Sequence, residues 1–284
     1  MNRKFFIQSM LSLELMSSSL SSLTCPQDYI DFYVAPTANS LKFNLPYTNS
    51  TTRYKAEYNL TQLNGVKGGV RAQIFLSSRW FLKGYADYGW IFSGNMKLND
   101  HLYSYSASTR GNLTDGSIGA GYNFYPLSRL QIAPTIGWSF EKIYIYTKHL
   151  KRNSIDRPDQ RFKSILGGPY LGFETVYYFN CDGNWSLMAG YECHIAVSRI
   201  HVYDENATTS AHLRNLIGNY AHIGLNYQIS DCWNAGIDIV GYVYNSNRTG
   251  TLTPTEIGTT YEDRRIKNVQ VKTGEIRFFT GYTF

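Results

Sequence analysis

Glu192 and His194 are the residues whose types and spacing most directly suggest chemistry. Two positions apart on a strand, their side chains leave the same face. A carboxylate beside an imidazole can act as a general acid and base. The same two groups can instead be a hydrogen-bonded pair inside a polar interior, the commoner state of such neighbours. Further titratable residues recur in segments of the same pattern: Lys83, Asp87, Glu141, Glu174, His222 and Asp238. No Gly-x-Ser-x-Gly, phosphate loop, Cys-x-x-Cys or Cys/His zinc spacing occurs, so no metal and no cofactor are expected.

These groups act together only if the chain sets them on one surface, and a period of two does so. Ten stretches read as strands: 29–36, 59–76, 79–92, 117–125, 130–146, 169–179, 185–202, 218–229, 233–244 and 274–284. In the third, Trp80, Leu82, Tyr88, Trp90 and Phe92 alternate with Phe81, Lys83, Tyr85 and Asp87. In the seventh, Trp185, Leu187, Tyr191, Cys193 and Ile195 alternate with Ser186, Met188, Glu192 and His194. Pro134 falls within the fifth, where its missing N–H predicts a bulge or local break.

The connections alternate too. Short ones at 77–78, 126–129, 180–184 and 230–232 separate long polar ones at 37–58, 93–116, 147–168, 203–217 and 245–273. A transmembrane barrel has this form, with tight periplasmic turns on one rim and long extracellular loops on the other. The prediction is all-β: a ten-stranded antiparallel transmembrane β-barrel over residues 25–284, both termini periplasmic, in a bacterial outer membrane.

Composition agrees. Charged residues are only 17% of the 284, while aromatics reach 15%, led by 24 Tyr. No apolar run is long enough for a membrane helix. Residues 1–24 read as a signal peptide: Arg3 and Lys4, a moderately apolar stretch from Phe5 to Met16 interrupted by Gln8 and Glu14, then serines. The net charge of +6 is dispersed, so no nucleic-acid partner is expected.

In such a barrel the apolar faces meet lipid, and Lys83, Asp87, Glu141, Glu174, Glu192, His194, His222 and Asp238 line the lumen. Two readings stay open: a charged pathway for small hydrophilic solutes, or an interior filled by mutual ion pairs, because ten strands enclose little space.

Several strings carry a family resemblance. Leu60-Thr61-Gln62-Leu63, Gly89-Trp90 running to Gly94-Asn95-Met96, Pro169-Tyr170-Leu171-Gly172 with Tyr177-Tyr178, and the closing Gly281-Tyr282-Thr283-Phe284 resemble omptins, ten-stranded outer-membrane barrels best known as proteases. That resemblance implies an aspartate pair after the Gly-Asn-Met segment and an Asp-x-His opposite. Here the first pair reads Leu98 and Asp100, and the second stretch reads Tyr203-Asp204-Glu205-Asn206 with no histidine in place. Asp100 and Asp204 are the acids a surface endopeptidase would use, and His201 or His101 would serve it only in a shifted alignment. The expectation is an omptin-like barrel without the protease site, hence no enzyme. The Tyr-rich chain with a few cysteines also resembles in style the outer-membrane porin family of chlamydia-related bacteria. The resulting expectation is porin-like passage of small polar solutes or a structural envelope role; adhesion through the loops is a third reading.

Partners follow from the same frame. Membrane lipid meets the wall. The cations of the segment Lys148 to Lys163 can meet lipopolysaccharide phosphates or remain solvated. A last strand ending on Phe284 resembles the segment by which such barrels engage their assembly machinery. Cys25, Cys181, Cys193 and Cys232 allow three full disulfide pairings or links to other envelope proteins.

Overall fold

The computed structural model describes residues 28–49, 52–99, 104–152, 155–157, 159–179, 184–203, 208–246, 250–254 and 265–284. Residues 1–24, Cys25 and Cys181 lie outside them. The described residues form β1 (Tyr29–Asn49), β2 (Thr52–Phe75), β3 (Trp80–Asn99), β4 (Ser104–Tyr122), β5 (Phe124–Leu127), β6 (Leu130–Arg152), β7 (Ile155–Arg157), β8 (Arg161–Tyr178), β9 (Trp185–Tyr203), β10 (Thr208–Gln228), β11 (Trp233–Ser246), β12 (Gly250–Pro254) and β13 (Arg265–Thr283). Ten long strands pair antiparallel with their neighbours, and β13 pairs back onto β1 from Tyr29↔Thr283 onward, so the sheet closes. The short β5, β7 and β12 hang on the rims of this ten-stranded barrel. Closure leaves no unpaired edge in hydrocarbon, where each orphaned backbone group would cost several kcal/mol. The seam is pinned at the turn end: Phe284 N–H donates to the Asp28 carbonyl at 2.9 Å, and Phe75 N–H to the Asp28 carboxylate at 2.6 Å.

A membrane strand needs about 9–11 residues. These strands run from 14 to 24 residues, so the wall continues far beyond the lipid. The residues assigned from sequence to long loops are mostly strand, which corrects those boundaries. β1 runs thirteen residues past 36, to Asn49, and the segment 93–116 is almost entirely β3 and β4. The reason is chemical. In the belt, Phe32, Trp80, Trp90, Trp138, Leu171, Ile195, Ile239 and Phe278 face outward and are exposed. Toward the loop end the outward positions turn polar (Lys97, Lys142, Arg199). The inward ones become Leu41, Phe43, Tyr58, Leu60, Met96, Leu98, Ile143, Ile145, Phe162, Ile200, Leu213 and Val271, all buried in one cluster. The alternation persists while its sense reverses, as it must when the outside changes from lipid to water.

In three strands a bulge turns the apolar side inward at this boundary. One extra residue enters β2 between Thr61 and Asn64, one enters β3 between Ile91 and Asn95, and one enters β10 between Leu213 and Leu216. Gln62 and Asn215 take the left-handed conformation there, at φ 53° and 60°. Without the extra residue, Leu213 would point to solvent, because a one-residue slip exchanges the two faces. Pro134 causes no break in β6: its pairing with β8 is continuous through Pro134↔Phe173. The interruption lies next door instead, where β4 gives way to β5 at Asn123.

Phe43 is fully buried, stacked on Tyr58 at 4.8 Å and edge-on to Phe162 at 6.3 Å. Phe43→Ala is expected to lower the unfolding free energy by about 3–5 kcal/mol. Lys97→Ala, on the outward face of β3, should change it by less than about 0.5 kcal/mol. Denaturant unfolding in detergent micelles checks both.

Candidate functional site

Below the apolar core the interior is polar, and three ion clusters fill it from the core toward the turn end. The first centres on Lys67 from β2, 1% exposed, whose Nζ lies 2.5 Å from Asp115 Oδ2, 2.5 Å from Glu275 Oε1 and 3.4 Å from Asp87 Oδ2. Arg277 donates to Glu275 at 3.0 Å and lies 5.0 Å over the Tyr33 ring and 5.4 Å over the Tyr85 ring. The Tyr33 hydroxyl donates to Asp87 at 2.7 Å, and the Tyr242 hydroxyl to Glu141 at 2.6 Å. These strands carry acids inward because the outward positions belong to lipid. The acids stay charged in a dry interior only if cations and hydroxyls compensate them.

The second cluster holds Lys83, which donates to Glu174 at 2.5 Å and to Glu192 at 3.0 Å. The other Glu192 oxygen lies 3.0 Å from His194 Nε2, while His194 Nδ1 is 2.9 Å from Ser139 Oγ and 3.3 Å from the Tyr244 hydroxyl. The imidazole stacks on Tyr170 at 5.1 Å. Ser139, His194 and Glu192 have the composition of a nucleophile–base–acid relay. Ser139 and His194 are both buried, and neither borders the cavity described next. The geometry is that of a hydrogen-bonded interior pair.

The third cluster is nearest the turns. Arg71 donates to Asp31 at 2.7 Å, lies 3.7 Å from Asp238, and covers the Phe279 ring at 4.2 Å. His222 Nδ1 is 3.3 Å from the other Asp238 oxygen. A cavity of about 430 Å³ lies among the second and third clusters and reaches turn residues Ser128, Asn184 and Asp231. It is a cup open at the turn end, with the Lys67 cluster and the apolar core closing its far side.

The structure places Lys83, Asp87, Glu141, Glu174, Glu192, His194, His222 and Asp238 inside the barrel. It divides them: Lys83, Glu174, Glu192, His222 and Asp238 border the cup, whereas Asp87, Glu141 and His194 are packed above it. Sequence reading missed Asp31, Lys67, Arg71, Asp115, Glu275 and Arg277 as members of these clusters. Extending the alternation would have found most of them; Asp115 was hidden in a segment read as loop. Asp100 and Asp204 lie outside the described residues. Leu98, at the place of an omptin-like aspartate, is buried in the apolar core.

On the outward face beyond the belt, Arg110, Lys142, Lys148, Arg161 and Arg199 form a basic collar. The segment Lys148 to Lys163 is not one loop: Lys148 lies on β6, which runs to Arg152, and Arg161 and Lys163 begin β8. His201 sits in this collar; partial burial, then Lys163 and Arg199, hold its imidazole below the usual range. Cys193 is free on the lipid face of β9, and Cys232 is free and exposed in a turn.

Lys67→Met removes the cation shared by three buried carboxylates, of which only Glu275 keeps another in Arg277, and is expected to destabilise the barrel by about 3–5 kcal/mol. Adding Asp115→Asn should recover part of that loss, which a double-mutant cycle by denaturant unfolding measures.

Residues 39–276 match a family model described as Pom: Protochlamydia outer membrane protein. No curated protein matches the chain. Among solved structures, the barrel is similar to the outer membrane protease OmpT from Escherichia coli, with TM-score 0.71 and 11% identity over 93% of this chain and 100% of that one. The translocator domain of autotransporter NalP from Neisseria meningitidis gives TM-score 0.42 and 11% identity over 99% and 96% of the two chains. The outer membrane protein OprG from Pseudomonas aeruginosa gives 0.37 and 10% over 92% and 98%. Only the first similarity is strong enough to bear on the fold, and at 11% identity it bears on nothing else.

Proposed function

The chain belongs to the Protochlamydia outer membrane protein family, and from that premise we propose that this outer-membrane barrel is sealed and serves a structural role in the envelope, its turn end and both termini facing the periplasm. The supporting observation is the apolar core. Phe43, Leu60, Met96, Phe162 and Leu213, each at most 1% exposed, occupy the lumen where a hydrated pore would have to run. An ion crossing them would shed its water with no polar group to replace it. Porin-like passage of small polar solutes is the second reading, favoured by the charged lower lumen and the cup, and it requires the core to part.

Proteolysis is not part of this proposal. Leu98 stands where the omptin resemblance calls for a carboxylate, and Glu192 and His194 are engaged with Lys83, Ser139 and Tyr244. Membrane lipid meets the aromatic belt, and the basic collar suits lipopolysaccharide phosphates just beyond it. The exposed Phe284 is the handle for barrel assembly machinery, and Cys232 in its turn is available for a disulfide with another envelope protein. Adhesion would rest on the loop-end connections.

Purified protein in planar bilayers is expected to give no discrete conductance steps. Steps whose ion preference shifts on Glu192→Gln would establish the solute pathway instead, and cleavage of a basic peptide would restore the endopeptidase reading.

A further inference from the structure

Buried acceptors without donors concentrate at one corner of the cup. Asp31 is 2% exposed; its Oδ2 accepts from Arg71, but its Oδ1 has no hydrogen-bond partner among the described residues. Asn234 is 6% exposed and its Oδ1 is likewise unpartnered, as is Asn226 Oδ1. All three residues border the cavity. The ladders bring two of them together: Asp31 on β1 and Asn234 on β11 both lie opposite Gly281 of β13, one on each side. A side chain at Gly281 would collide first with Asp31 Oδ1, so the carboxylate leans across the glycine. Asn226 lies on β10, two residues from Gln228, which pairs with Asn234.

An unpaired buried acceptor forfeits its hydrogen bonds to water without replacement, and a carboxylate oxygen loses more, so three in one corner mark a place for donors. The charge of the cavity has the same sense. Five lining carboxylates (Asp31, Glu174, Glu192, Asp231 and Asp238) face three fixed cations, Arg71, Lys83 and Arg277. Phe279 and Met188, also in the lining, give an apolar wall within the same cup.

We propose that the cup is a binding site for a small solute bearing a primary alkylammonium group, its head received by Asp31, Asn234 and Asn226 and its alkyl part laid against Phe279 and Met188. An ammonium carries three donors and no acceptor, matching three acceptors of which one is charged. A calcium ion would want six to eight oxygens, and no group of three or more His, Cys, Asp or Glu able to hold a metal exists among the described residues. The inference rests on the cup described above; it does not need the barrel to be sealed.

The test is calorimetric titration of the full chain in detergent micelles with n-butylammonium chloride, against n-butanol at equal ionic strength. Saturable binding of the amine and none of the alcohol is expected. Asp31→Asn should weaken it at least about tenfold, as loss of a hydrogen bond to a charged group does. Asn234→Leu should also weaken it and carries the test if Asp31→Asn fails to give a heat-modifiable barrel. Absence of saturable binding, equal binding of n-butanol, indifference to both substitutions, or displacement of the amine by Ca²⁺ would each overturn the proposal. Conductance separates the two readings. A conducting barrel that binds the amine through Asp31 loses only the seal, whereas a silent barrel that ignores the amine loses only this site.

Discussion

The constraint on which everything else depends is that one continuous wall runs through two solvents. In hydrocarbon, a β-strand must hide every backbone polar group and present an apolar outer face, so its charges go inside. Beyond the hydrocarbon the same strands stand in water, and the ordinary rule for a soluble barrel returns, with apolar side chains in the middle. The strands do not stop at the boundary. They exchange the chemistry of their two faces while keeping their direction, and in β2 and β10 the bulges at Gln62 and Asn215 make the exchange by shifting the parity by one residue.

The charged interior follows from that constraint. Inward positions in the belt cannot all be glycine or apolar without leaving the barrel unspecified, and acids placed there require partners from distant strands. Lys67 therefore joins β2 to β3, β4 and β13, and Arg277 joins β13 to the rings of β1 and β3. Such networks are poor sources of net stability but strict about register, because shifting one strand by a residue would strand a charge. The cup remains where the network thins toward the turns.

Strand identity in the belt was legible because Trp80, Trp90, Trp138 and Phe278 announce a lipid face against polar or small neighbours. The short turns were legible for the same reason, as breaks in that rhythm. The part of the wall beyond the lipid was not. Leu41 and Phe43, or Met96 and Leu98, alternate with Lys42, Asn95 and Lys97, and in a barrel expected to be apolar outside such segments read as polar loops. The inward position of Lys83 or Asp238 could be deduced from parity alone. That Lys67 meets Glu275 could not, since 208 residues separate them in the chain and only closure of β13 on β1 brings them together. Likewise, nothing in the composition distinguished a filled lumen from a hydrated one; that depends on which residues share a level.

The apolar filling also makes the loop-end half a stem. A barrel emptied of side chains above the membrane would be free to flatten and twist, whereas close-packed interiors are stiff. The loop-end rim of the described strands is thus the top of a rigid pedestal that stands clear of the lipid surface. Whatever approaches that side of the membrane meets this stem before it meets the bilayer.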